Sequence, residues 1–284
     1  LNKIKITTAN VNEFRAALRG FLEEPMPETV PSLASAMVPH YREHGYVVVR
    51  GLFGSRDLAS VLAEADALLL RRDLIATENL RCRWQPHVES GECLFETFDP
   101  VIDIGPACGR LARDTRLLEV LAELYGEPAC LFKDKLIFKP PGAKGYDLHQ
   151  DWIAWPTFPR SFTTVLVPLD AADLDNGCTV VYPGYHKRGY LSPEDGMYHS
   201  LPDSAVDQAT AVPMVLQPGD VAIFGAFTPH RSAPNRSTRW RRQLYLSYNA
   251  LSDGGERREA HYHEFLAWLR DRYAEYGKSN VWFR

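Results

Sequence analysis

The sequence predicts a mainly β protein with flanking helices, built around a sandwich or barrel core. Three observations predict it. After residue 128, short runs rich in β-branched and aromatic residues follow one another, over 131–139, 162–169, 179–182, 212–216, 221–224 and 243–248. Turn signals separate these runs, among them Pro140-Pro141-Gly142, Asp175-Asn176-Gly177, Pro183-Gly184 and Pro218-Gly219-Asp220. Many short strands with such turns argue for a closed or two-layered β core. On either side of this stretch, apolar residues recur at helical spacing instead.

The elements follow in order. Pro25, Pro27, Pro31 and Pro39 make residues 23–39 an extended segment rather than a helix. The β-branched run Tyr46–Arg50 reads as a strand. A helix follows with Ser55 as N-cap and Leu58, Leu62, Ala65 and Leu69 on one face. A second helix covers about 110–125 and ends before Gly126, which can take the left-handed backbone of a helix C-terminus. After the β region, 257–277 returns to helix, with Phe265, Leu269 and Tyr273 in a stripe and Gly277 to end it. All 284 residues are read as one domain: a helical N-terminal part over about 1–127, a β core over 128–250 and a closing helix over 257–277.

Composition narrows the function. The chain is 45% hydrophobic and 24% charged, with a net charge of −4, which gives no reason to expect a nucleic-acid or membrane-surface partner. No apolar run reaches the roughly 18 residues of a spanning helix, and no signal-peptide pattern opens the chain. The five cysteines (Cys82, Cys93, Cys108, Cys130, Cys178) are odd in number and widely spaced, without a CxxC pair. They read as reduced thiols in a cytoplasmic protein. Oligomeric state is not legible.

The chemistry concentrates at His149-Gln150-Asp151, placed at the start of a strand. Alternation puts His149 and Asp151 on one face and Gln150 on the other. An imidazole and a carboxylate on one face can share a metal ion, but His-x-Asp alone is a weak pattern. His230 adds to it, because Thr228-Pro229-His230-Arg231-Ser232 follows soon after the strand 221–224, where a strand end can supply a third ligand. Two histidines and one carboxylate on one side of an ion leave the opposite positions open, the arrangement of non-haem Fe(II) oxygenases. Arg241 lies eleven positions beyond His230. Arg239 and Arg242 compete with it on periodicity alone.

At these residues the chain resembles the phytanoyl-CoA dioxygenase family of Fe(II)- and 2-oxoglutarate-dependent oxygenases. His44-Gly45-Tyr46-Val47-Val48-Val49-Arg50-Gly51-Leu52-Phe53 is similar to the family's first strand and turn. Phe138-Lys139-Pro140-Pro141-Gly142 followed by His149-Gln150-Asp151 is similar to the entry to its metal site. Asp175-Asn176-Gly177-Cys178 and Tyr182-Pro183-Gly184-Tyr185-His186-Lys187 are similar to its middle, where the family more often has Ser at 185. His230 through Asn235, with Arg241, is similar to its distal half. The order and spacing of these motifs across nearly the whole chain make the resemblance specific.

The resemblance implies a double-stranded β-helix core, a cupin-like jelly roll. It implies His149, Asp151 and His230 as Fe(II) ligands, with no catalytic side chain beyond them, and 2-oxoglutarate and O2 as co-substrates. Arg241 is then the partner of the far carboxylate of 2-oxoglutarate, a role that suits its planar fork. Ser232 bonds the same carboxylate, Trp155 is an aromatic near the co-substrate, and Lys133 and Tyr146 are further co-substrate contacts. The implied reaction is hydroxylation of a substrate C–H with release of succinate and CO2. Retention of Asp151 favours hydroxylation over halogenation, since related halogenases have Ala or Gly there.

The substrate is read only as a small molecule. Lys133, Lys135 and Lys139 share one strand face, either as a solvated edge that guards against strand pairing or pointing inward toward an anion. Arg81 and Arg83 precede the β core. Together these residues suggest a carboxylate, phosphate or phosphonate, with Lys135, Arg83 and Trp152 as candidate contacts. Trp84, Trp152, Phe158 and Tyr198 support the alternative of a larger apolar natural product. His186 and His199 are expected to be structural or surface residues, His261 and His263 surface or packing residues, and His87 a solvated loop residue. Two other classes compete: a zinc hydrolase using the same ligands and a non-catalytic binding module. A hydrolase has no evident need for Arg241 and Ser232 at this spacing, and an intact triad argues against the module.

Overall fold

The computed structural model describes residues 33–284. Two antiparallel sheets face each other, and helices cover the outside of the larger one. In chain order the elements are α1 (Leu33–His44), β1 (Tyr46–Val49), α2 (Ser55–Leu69), β2 (Cys82–Pro86), β3 (Cys93–Phe98), α3 (Pro106–Leu111), α4 (Thr115–Tyr125) and β4 (Ala129–Ile137). Next come β5 (Tyr146–His149), β6 (Thr163–Pro168), β7 (Thr179–Val181), β8 (Val212–Pro213), β9 (Val221–Gly225), β10 (His230–Ser232), β11 (Gln243–Ala250) and α5 (Arg258–Glu275). The larger sheet runs β1-β9-β6-β11-β4-β3-β2 and the smaller β5-β10-β7-β8. This is the expected jelly-roll core.

Alternation along the larger sheet explains why so much of it is buried on both faces. Val165, Val167, Leu244, Leu246 and Tyr248 pack outward against Leu58, Val61, Leu117 and Leu121 of the helices. Leu166, Ala222, Phe224 and Tyr245 face inward and meet Cys178, Val181 and Met214 from the smaller sheet. A strand with helices on one face and a second sheet on the other is covered at every position. β6 and β11 accordingly have every residue buried.

Several expectations are corrected. Residues 33–44 form α1 with Pro39 inside it, so the extended reading of 23–39 fails there; residues 23–32 lie outside the described residues. Pro39 falls at the seventh position of that helix, and α1 still packs on β1 and α4. The N-cap of α2 is Gly54, not Ser55, and Asp57 Oδ2 accepts the Gly54 N–H (2.8 Å). Its buried face is Leu58, Val61, Ala65 and Leu68, which keeps Leu58 and Ala65 of the stripe read from sequence, while Leu62 and Leu69 are only partly buried. The helix expected over 110–125 is two. Asp114 breaks it, accepting the Arg116 N–H at the start of α4 (3.0 Å), and Gly126 ends α4 at φ 75°. Of the run 212–216 only Val212–Pro213 is strand. The N-terminal part is not only helical: β2 and β3 extend the large sheet past β4.

None of the five cysteines is in a disulfide. Among the described residues no helix is long and apolar enough to cross a membrane.

Candidate active site

The smaller sheet brings the histidines together. His149 closes β5, rather than opening a strand, and stands directly across from His230 on β10. Their ring centroids are 4.2 Å apart. Asp151 follows two residues past the strand end. Its Oδ1 lies 3.7 Å from His149 Nε2 and 3.6 Å from His230 Nε2. The three ligand atoms lie within 4.8 Å of one another, a spacing that one metal ion can bridge.

The surrounding bonds turn these atoms inward. His149 Nδ1 donates to the Asp147 carbonyl (2.7 Å) and His230 Nδ1 to the Thr228 carbonyl (3.0 Å). With each Nδ1 proton committed to backbone, each Nε2 presents its lone pair to the site. The Thr164 hydroxyl donates to Asp151 Oδ2 (2.5 Å), leaving Oδ1 for a metal. Burial, then the neighbouring His230, pulls the His149 pKa to about 3, so its ring is neutral. Burial pushes the Asp151 carboxyl up, but the two imidazoles and Lys135 outweigh it and hold it at about 2. A free Nε2 lone pair on each imidazole and an ionised carboxylate are what a divalent metal binds. The donor set and its one-sided arrangement fit Fe(II) with open positions.

Arg241 gives a second test of fit. Its side chain is completely buried, and Nε, Nη1 and Nη2 have no hydrogen-bond partner among the described residues. A guanidinium so placed demands an anion. The far carboxylate of a 2-oxo diacid is such an anion, so the residues fit 2-oxoglutarate. Arg239 and Arg242 do not compete: Arg239 pairs with Asp173, and Arg242 with Asp170 and Asp66. Arg241 does not itself line the cavity; Ser232 and Tyr146 do. Ser232 Oγ accepts from Lys139 Nζ (3.1 Å) and from the Tyr146 N–H (3.3 Å), and the Tyr146 hydroxyl donates to Glu96 Oε2 (2.7 Å).

The cavity beside the triad has a volume of about 510 Å³. Lys133 and Lys135 both line it, so the solvated-edge reading is overturned: β4 is an interior strand between β11 and β3. Lys139 is also fully buried, with Nζ donating to the Gly177 and Ala233 carbonyls (2.9 and 2.5 Å). Lys133 Nζ pairs with Asp99 Oδ2 at 3.2 Å. Lys135 Nζ sits 5.1 Å from the Tyr245 ring centroid and has no carboxylate partner among the described residues. Arg83 lines the cavity, but Arg81 does not; it pairs with Asp103.

Trp155 lines the cavity near α5, its Nε1 donating to the Gly196 carbonyl (2.5 Å). Phe158 and Tyr198 line it too. Trp152 and Trp84 do not. Trp152 packs on Tyr190 and Phe227 with Arg160 over its ring, and Trp84 packs on Phe95. His186 donates to the Arg42 carbonyl (3.1 Å), His199 pairs with Asp195, and His263 is exposed, as expected. His87 is half-buried in a turn, where its Nδ1 accepts the Glu89 and Ser90 N–H groups. Sequence reasoning missed the wall that α5 supplies. His261, Phe265, Trp268 and Leu269 line the cavity at i, i+4, i+7 and i+8 spacing, a stripe visible in sequence but read as packing. It also missed Thr164, Glu96 and Asp99, which no local pattern marks.

The phytanoyl-CoA dioxygenase (PhyH) family profile matches residues 41–243. A methylphosphonate hydroxylase of Gimesia maris is 37% identical over 80% of this chain and 85% of its own. A 2-aminoethylphosphonate dioxygenase from an uncultured bacterium is 31% identical over 76% and 82%. The fold matches crystal structures such as that of EctD from S. alaskensis with 2-oxoglutarate and 5-hydroxyectoine (TM-score 0.63, 24% identity, 82% of each chain). The chain belongs to the phytanoyl-CoA dioxygenase family, and is thereby an Fe(II)- and 2-oxoglutarate-dependent oxygenase.

Proposed function

We propose that the protein hydroxylates a C–H bond of a small oxyanion, an organophosphonate in the first instance. The observation that carries this is Lys135, which lines the same cavity as the triad and has no carboxylate partner among the described residues. A lysine left without a carboxylate in a pocket suits an anionic ligand. The relatives that act on phosphonates carry the same expectation.

In this reading His149, Asp151 and His230 hold Fe(II). Arg241 receives the far carboxylate of 2-oxoglutarate, supported by Ser232, whose hydroxyl Lys139 and Tyr146 orient. The bound iron and 2-oxo acid supply the oxidising chemistry, with succinate and CO2 as by-products. The chain's own part is placement. Thr164 and the two backbone carbonyls fix the ligands, Lys135 fixes the anionic head, and the aromatic wall keeps water from the reacting carbon. Lys133 is better assigned to the substrate end with Asp99 than to the co-substrate, and Trp155 to the same wall. We take residues 1–284 as one catalytic domain, working in the cytoplasm with its cysteines reduced.

The test is succinate formation with Fe(II), ascorbate and 2-oxoglutarate across phosphonates, phosphates and carboxylates. Substrate-dependent succinate with a hydroxylated product supports the reading. Turnover only with large neutral molecules sinks the oxyanion and favours the apolar product suggested by Phe158, Phe265 and Trp268. Undiminished turnover by Asp151→Ala would remove the ligand assignment.

A further inference from the structure

The cavity has a second polar end that the proposed reaction does not use. His261 is 4% exposed and lines the cavity, yet neither ring nitrogen has a hydrogen-bond partner. Its ring stacks on Phe265 (centroids 5.7 Å apart, 10° between planes) and leans on Phe132 at 4.4 Å. Burial, with Lys133 next, pulls its pKa to about 3. The ring is therefore neutral, with one N–H to give and one lone pair to accept.

Arg83 is the second member. Its Nη1 is spent on the Leu80 and Cys82 carbonyls (2.5 and 3.2 Å), while Nη2 is buried without a hydrogen bond, 4.0 Å from Asp99 Oδ2. Lys133 is the third, with Nζ 4.5 Å from the Phe265 ring centroid and 3.2 Å from Asp99. Arg83 and Lys133 against Asp99 leave one positive charge at this end. Buried donors are almost always matched, by protein, water or ligand.

The position of this group relative to Lys135 matters. Lys133 and Lys135 are two residues apart on β4, an advance of about 7 Å along a strand. Lys133 pairs with Ser247, which pairs in turn with Thr164 on β6, whereas Lys135 pairs with Tyr245, which pairs in turn with Leu166. The two cations belong to successive rows of the cavity floor. A one-carbon phosphonate held by Lys135 has nothing beyond its oxidised carbon with which to reach the far row.

We propose that Arg83, Lys133 and His261 form a distal subsite, and that the substrate is bifunctional. One end is an oxyanion held by Lys135. The other, further along the carbon chain, is a second oxygen acceptor, a carboxylate by the balance of charge. This rests on the oxyanion reading above. It also separates this chain from relatives named for methylphosphonate and 2-aminoethylphosphonate, because an ammonium is unwelcome where Arg83 and Lys133 outnumber Asp99.

Methylphosphonate, 2-aminoethylphosphonate, 2-hydroxyethylphosphonate and 3-phosphonopropionate distinguish these cases in the iron-loaded enzyme. The expected result is a kcat/KM for 3-phosphonopropionate at least tenfold above methylphosphonate and 2-aminoethylphosphonate, with the hydroxyl compound between. His261→Phe keeps the aromatic stack, and Arg83→Met keeps the side-chain bulk. Either is expected to cut the ratio of 3-phosphonopropionate to methylphosphonate turnover by about tenfold, mainly through KM. Equal or better use of methylphosphonate or 2-aminoethylphosphonate overturns the bifunctional substrate and leaves the oxyanion reading standing. So does a ratio that neither variant moves. Succinate formation with none of the four, but with neutral substrates, overturns both.

Discussion

Asp151 and Arg241 show how single residues carry the reading. Asp151 is a candidate ligand because Thr164 occupies its other oxygen and the Nε2 atoms of His149 and His230 face the first. Arg241 matters because it is buried without a partner. Removing a partner from a charged hydrogen-bonded pair costs about 2–5 kcal/mol. Arg241→Met is therefore expected to raise the KM for 2-oxoglutarate by about a hundredfold, read from succinate release at saturating substrate. An unchanged KM would move the co-substrate elsewhere. Asp99 gives a pH prediction. Burial pushes its carboxyl up, but Lys133, Arg83 and Lys135 outweigh that and hold it at about 2, against 3.8 ordinarily. A lowered carboxylate binds fewer protons folded than unfolded. Its contribution is complete above about pH 4 and is lost as pH falls toward 2. Asp99→Asn should cost about 2 kcal/mol at neutral pH and flatten the loss of stability between pH 4 and 2, as measured by denaturant unfolding.

Among the elements, the short β5–β10 ladder sets the ligand geometry. It places His149 opposite His230 and Ser232 opposite Tyr146, with a register shift between. Gly145 leads into β5 at φ 89°, and a Cβ there would collide with the Ser232 and Ala233 carbonyl oxygens. Both its backbone conformation and its closeness to β10 exclude a side chain. Gly145→Ala is expected to lower the thermal midpoint by several degrees and to weaken 2-oxoglutarate binding at the same time, because the displaced strand carries Tyr146 and His149. Loss of stability with unaltered co-substrate binding would show that the ladder does not set the site. The same scale explains the misreadings. Helix α1 tolerates Pro39, and β2 and β3 are strands because they join an existing sheet edge, not because Cys82–Pro86 or Cys93–Phe98 alternates cleanly.

At the scale of the whole molecule, the fold buries Arg241, Lys139 and Glu96 completely and leaves the Arg241 guanidinium without a hydrogen-bond partner among the described residues. Ligands that bind only the folded state raise its stability by mass action. A divalent metal and 2-oxoglutarate together should raise the thermal midpoint more than the metal alone, and Arg241→Met should remove the increment due to 2-oxoglutarate. An equal increment in the variant would contradict the assignment.

The sequence by itself determined the β core, because strand periodicity and Gly/Pro turns are local. It also singled out His149-x-Asp151 and His230 as candidate ligands and, through the family resemblance, Arg241 as the candidate co-substrate partner. It could not choose Arg241 from Arg239 and Arg242 by periodicity; only the tertiary structure sends the latter two to Asp173 and to Asp170 and Asp66. Nor could it turn the β4 lysines inward, remove Trp152 from the cavity, or bring Arg83, Lys133 and His261 from β2, β4 and α5 into one place. Those contacts join residues up to 178 positions apart (Arg83 to His261), and no local pattern records which faces meet when two sheets and a helix close around a cavity.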